Sequence, residues 1–112
     1  MYKTDPNADP SNWPDGYGQL TMNGKRRMYS IGEFVRSKYD GFLTDSIREV
    51  GVRSSDVERC IESTQLVLNG VYKPTGRWVW NPNEPWQPLP VHTYPTFMDS
   101  VSVCSQFMHS KA

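Results

Sequence analysis

The 112-residue sequence has little cysteine, no net charge and no long apolar run. Its two cysteines, Cys60 and Cys104, are too few for a disulfide scaffold, and their spacing fits no metal-binding motif. Twelve Lys and Arg balance twelve Asp and Glu, so there is no basic footprint for nucleic acid or an anionic membrane surface. No stretch approaches the roughly 20 apolar residues that a membrane-spanning helix needs, and the opening Met-Tyr-Lys-Thr-Asp-Pro is unlike a signal peptide. Histidine is scarce: His92 and His109 are the two. At this length the chain holds one small domain, and it shows no repeat or low-complexity tract.

What is plentiful is proline and tryptophan, nine and four residues. They gather at Pro6–Pro14 and Trp78–Pro95, which predicts extended, loop-like chain there. Residues 1–18 read as a surface loop with turns at Asp5-Pro6, Asp9-Pro10 and Pro14-Asp15-Gly16, and with Tyr2, Trp13 and Tyr17 as its packing residues. A first helix is expected from Met22 to Tyr39. Thr21 is its N-cap, Met28, Ile31 and Val35 its apolar stripe, and Gly41 its stop. Gly24 and Gly32 cost it helix propensity, and glycines so placed often admit another backbone.

Ile47–Val52 is the strand candidate. A second helix starts near Ser55 or Asp56 and runs to about Asn69, with Val57, Ile61, Thr64 and Leu68 facing inward, Cys60 a core-facing thiol, and Gly70 a left-handed cap. Trp78, Trp80 and Trp86 are assigned to core packing. The prolines of Trp86–Thr93 make that segment an extended edge, and Asp99–Ala112 reads as an irregular end. Helix, strand and helix imply an α/β class, but about four elements cannot build a covered parallel sheet. An incomplete sheet leaves strand edges and apolar helix faces open, so the isolated chain is expected to fold poorly or to aggregate.

The chemistry concentrates at Val52-Arg53-Ser54-Ser55-Asp56-Val57-Glu58-Arg59. A strand feeding an arginine, then small hydroxyl residues and a helix, is the pattern of an oxyanion site. Helix N-termini offer unpaired N–H groups, ligands gather beyond the carboxyl ends of strands, and guanidinium binds phosphate bidentately. The competing reading of Arg53 is a surface or ion-pairing arginine.

Three blocks also resemble one family, the histidine acid phosphatases. They are Gly18-Gln19-Leu20-Thr21 through Ile31-Gly32, Val52 through Arg59, and Trp80-Asn81-Pro82 with Trp86-Gln87-Pro88-Leu89-Pro90-Val91-His92-Thr93. The resemblance covers roughly residues 2–95. It implies a single partial domain with a loop at 1–19, a family-like core at 20–95 and a divergent tail at 96–112. The implied fold is part of a phosphoglycerate-mutase-like α/β core with an incomplete sheet.

The implied reaction is phosphomonoester hydrolysis at acid pH through a phosphohistidine. It needs no metal or other cofactor, in a parent that is secreted or lysosomal and homodimeric. Arg53 matches the family arginine that grips phosphate. Asp56 is assigned to capping the second helix, Arg59 to ion pairing or packing, and His92 to a structural hydrogen bond; none is given a catalytic role. The family's Arg-His-Gly-x-Arg nucleophile motif has no counterpart here, because no histidine precedes His92. The His-Asp acid motif is absent too, since Ser110 follows His109. The chain as given is therefore expected to be inert. The alternative is a non-catalytic truncated product that binds phosphate or a protein, and a structural domain presenting its tryptophans is a third idea.

Overall fold

The computed structural model describes residues 4–99. Expectations for Tyr2, Cys104, His109 and the tail from residue 100 onward fall outside the described residues.

Helix α1 spans Met22–Tyr39 and starts where local chemistry says it should. The Thr21 hydroxyl accepts a hydrogen bond from the Gly24 amide, 3.1 Å away. That bond satisfies one of the amides that a helix start leaves without an intrahelical partner. Helix α2 spans Glu58–Val71. Gln19 reaches Glu58 at 3.1 Å, beside the start of both helices, and Arg36 lies over the Tyr72 ring near the end of both. The two helices therefore run side by side in the same direction.

Two glycines bring them together. A Cβ on Gly32 would sit 2.1 Å from the Val67 carbonyl oxygen, and one on Gly70 would sit 2.5 Å from that of Tyr29. The Gly32 expectation of close backbone approach is met. Gly70 is a correction: it lies inside α2, buried, and its role is this same close approach rather than a left-handed cap. Gly41 does not take a left-handed conformation either. Helix α1 stops at Tyr39, whose carbonyl accepts from both Phe42 and Leu43.

Strand β1 is Arg53–Ser55 and strand β2 is His92–Tyr94. They pair in parallel, with Arg53 opposite His92, Ser54 opposite Thr93 and Ser55 opposite Tyr94. Parallel strands need a crossover, and α2 with the long Tyr72–Val91 connection supplies it. The predicted strand at Ile47–Val52 is displaced. Ile47–Glu49 is a 3-10 turn, and Val50 is extended without belonging to the ladder. The reason is tertiary: pairing begins only where β2 runs alongside, first through the His92 amide and the Val52 carbonyl at 3.1 Å. The apolar side chains of that run still pack. Ile47, Val50 and Val52 lie against the buried cluster of Leu68, Val71 and Tyr72, together with Val35, Leu43, Leu89 and Val91.

Polar clasps hold the connections. Arg36 donates to the Leu43 and Thr44 carbonyls at 3.3 Å and pairs with Asp45 at 2.9 Å, tying down the chain after α1. The buried Gln87 amide donates to the Tyr72 carbonyl at 3.0 Å. Lys73 reaches back to α1. It lies 3.6 Å from Glu33, and the Tyr29 hydroxyl is the main cause holding its ammonium above the ordinary lysine range. In the N-terminal loop the turns form as expected, with Asp5 and Asp9 capping them and Gly16 in the left-handed region.

Several apolar assignments are corrected. Ile31 and Val57 are exposed, so the stripes they were given extend past the packed faces. Cys60 is half-buried. Trp80 and Trp86 are 55% and 44% exposed, packed edge to face with ring centroids 5.6 Å apart, and are not core residues. They line an open apolar cleft of about 480 Å³ with Ile47, Trp78 and Pro88. With Phe34 and Phe42 also exposed, the uncovered apolar surface is expected to drive self-association that grows with concentration, read by light scattering. At low concentration, Gly32→Ala should cost about 3 kcal/mol, the upper end for overpacking a tight contact. Urea unfolding followed by helical circular dichroism checks this, and a cost near zero would contradict the glycine contact.

Candidate functional site

Strand β1 and the start of α2 carry the octet that drew attention in the sequence. Arg53 opens β1 rather than following a strand, and α2 begins five residues later at Glu58. Its N-cap is Val57, which has no side-chain acceptor. Asp56 therefore does not cap α2, which corrects that assignment; it lies exposed between Ser55 and the cap. The reason is backbone path. The Val57 amide bonds the Ser55 carbonyl at 2.8 Å, a tight turn that puts the cap position one residue beyond Asp56.

Arg53 is held from two sides. Its Nη2 donates to Asp99 Oδ1 at 2.6 Å, and its guanidinium carbon lies 4.5 Å from the centre of the Tyr94 ring. The ladder explains the second contact. Arg53 stands opposite His92, and residues two apart on a strand share a face, so Tyr94 is the diagonal neighbour of Arg53. A 3-10 turn at Thr96–Met98, closed by the Asp99 amide on the Thr96 carbonyl at 3.3 Å, brings Asp99 to the arginine. The pair is lopsided: the Arg53 side chain is 43% exposed and that of Asp99 is 2% exposed.

The remaining expected residues lie around this centre. His92 is exposed on β2; its backbone amide bonds Val52, and no side-chain bond to it is found among the described residues. Arg59 makes no ion pair among the described residues. Its Nη1 donates to the Gly18 carbonyl at 3.4 Å, which ties the N-terminal loop to the first turn of α2. Ser54 is buried, with its hydroxyl on the Ser55 carbonyl at 3.0 Å. Among the described residues no three His, Cys, Asp or Glu side chains gather as a metal site would require.

Asp99 and Tyr94 were missed from sequence. Asp99 fell in a segment read as irregular, yet it carries a signal: it is the only acidic residue after Glu84. Its partner Arg53 lies 46 residues earlier in the chain.

The family model for the histidine phosphatase superfamily, branch 2, matches residues 2–107. The chain belongs to that superfamily. It is 42% identical over 93 residues to a prostatic acid phosphatase of Bos taurus, covering 81% of this chain and 24% of the relative. Similarity to a lysosomal acid phosphatase of Xenopus laevis is 43% over 102 residues, or 89% and 23% of the two chains. Against the prostatic acid phosphatase of Homo sapiens it is 41% over 102 residues, or 89% and 26%. The chain thus spans about a quarter of the length of these relatives. In family terms the two helices and the parallel strand pair are a portion of a histidine phosphatase α/β core.

The loop that flanks the site depends on Gly18, which sits at φ 80° with Arg59 Nη1 3.6 Å from where a Cβ would be. Gly18→Ala should cost about 1 kcal/mol through left-handed strain. It should also speed limited proteolysis within residues 4–20, whereas an unchanged cleavage rate would show that the left-handed turn at Gly18 does not hold this loop.

Proposed function

We propose that this chain is the portion of a histidine acid phosphatase that supplies one phosphate ligand, Arg53. The parent reaction is hydrolysis of a phosphomonoester through a phosphohistidine. The reading is carried by the position of Arg53 on β1, ahead of α2, in a chain of this superfamily. A partly exposed guanidinium can place two parallel N–H groups against phosphoryl oxygens and stabilise the charge of the group in transfer. Similarity to relatives named lysosomal and prostatic acid phosphatase supports a secreted or lysosomal parent.

Hydrolysis also needs a nucleophile and an acid for the leaving alcohol. The chain as given has neither family motif: no histidine precedes His92, and neither His92 nor His109 is followed by Asp. A phosphate ligand without an attacking group binds and does not cleave. The second reading, a non-catalytic phosphate-binding module, shares Arg53 and differs only in whether a parent enzyme exists.

The isolated chain should turn over no para-nitrophenyl phosphate at acid pH. Calorimetric titration with inorganic phosphate should show weak binding that Arg53→Ala reduces by about tenfold or more, the worth of a charge-assisted hydrogen bond. Turnover that disappears in Arg53→Ala would show the chain to be an enzyme on its own. Phosphate binding that survives Arg53→Ala would remove the arginine from the site.

A further inference from the structure

Arg53 is not simply aimed at solvent, and the way it is restrained assigns a role to Asp99. We propose that Asp99 is a positioning residue: it fixes one edge of the Arg53 guanidinium and so presents the other edge to a phosphoryl group. This rests on the reading of Arg53 as a phosphate ligand.

Burial decides between that role and its opposite, a carboxylate that occupies the anion site in place of phosphate. Asp99 is 2% exposed, while the Arg53 side chain is 43% exposed. An anion arriving from solvent meets the arginine first. It can take the place of Asp99 only by breaking the ion pair between a buried carboxylate and the arginine, which is costly. Asp99 engages one nitrogen, Nη2, at 2.6 Å. A guanidinium carries five N–H donors in a rigid fork, so donors remain for a second anion.

Tyr94 supports one face of the fork, with the guanidinium carbon 4.5 Å from the ring centre. Edge and face together fix the plane. A free arginine loses much rotamer freedom when it closes on a ligand; here that cost is met during folding, when the Thr96–Met98 turn brings Asp99 in.

The test is the rate at which phenylglyoxal modifies each arginine of the 112-residue chain in dilute solution, read by peptide mass spectrometry. Arg27 and Arg48 are exposed references, and Arg36, clasped by Asp45, reports that the fold is intact. Arg53 should react about tenfold more slowly than the references, the factor expected of one charge-assisted hydrogen bond. Inorganic phosphate should protect it further. In Asp99→Asn, Arg53 should accelerate towards the references while Arg36 stays slow, and equal protection should require about tenfold more phosphate.

If a fast Arg36 shows that Asp99→Asn has unfolded, Asp99→Glu takes its place. Its extra methylene displaces the clamp, and the same loss of protection is required of it. Arg53 reacting as fast as Arg27 and Arg48 while Arg36 is slow overturns the proposal. Phosphate protection undiminished in the folded Asp99 variant also overturns it, and leaves Arg53 a phosphate ligand. No protection by phosphate in the unaltered chain overturns both readings.

Discussion

The constraint on which the structure rests is the backbone contact between α1 and α2 at Gly32 and Gly70. Helices usually keep their axes apart by the thickness of their side chains. Here a Cβ at either glycine would overlap the other helix's backbone, so the separation is set by main chain. That contact fixes the direction of α2, and α2 in turn seats Leu68, Val71 and Tyr72 against Val50 and Val52. The strand that leaves this packed layer is β1, and its first residue is Arg53. Helix propensity is given up at two positions to place a strand terminus.

The same arrangement explains why the rest of the molecule is so open. One parallel pair with its crossover is the smallest unit of an α/β core, and a parallel sheet is normally covered on both faces. Among the described residues the sheet has two strands, and α1 turns Ile31 and Phe34 to solvent. The exposed Trp80 and Trp86 belong to the same pattern. Trp80 satisfies its indole N–H on the Trp86 carbonyl at 2.7 Å, so the pair is locally ordered without being buried. Coverage of about a quarter of the relatives' length agrees with a core of which only part is present.

Elements governed by local chemistry were legible in the sequence. Thr21 as N-cap and the apolar spacing of α1 gave that helix with both ends correct, and the Asp-Pro and Pro-Asp-Gly steps gave the loop turns. Features that depend on a distant partner were not legible. The strand was sought in the apolar run Ile47–Val52, but the ladder forms where β2 arrives, on residues whose own pattern is polar. Asp56 looked like a cap because it precedes a helix, yet the turn at Ser55 moved the cap to Val57. Gly70 looked like a helix stop because it follows an apolar run, and only the position of α1 shows that it is a contact. The anion-site candidate was visible as Arg53; its restraint by Asp99, 46 residues away along the chain, was not.

On the proposed reading of Arg53 as a phosphate ligand, that restraint bears on how one arginine can serve a phosphate. Pairing with a carboxylate lowers the net charge that Arg53 offers an anion. The loss depends on where the carboxylate lies, however. An arginine clamped by a neighbour as exposed as itself would share one solvent-facing approach with its ligand, and the two anions would compete. With Asp99 buried and Tyr94 along the guanidinium's face, a phosphate bound as proposed would meet an arginine already held in place. Charge is reduced while orientational freedom is removed in advance, and for a planar fork that must offer parallel N–H groups, orientation is the scarcer quantity.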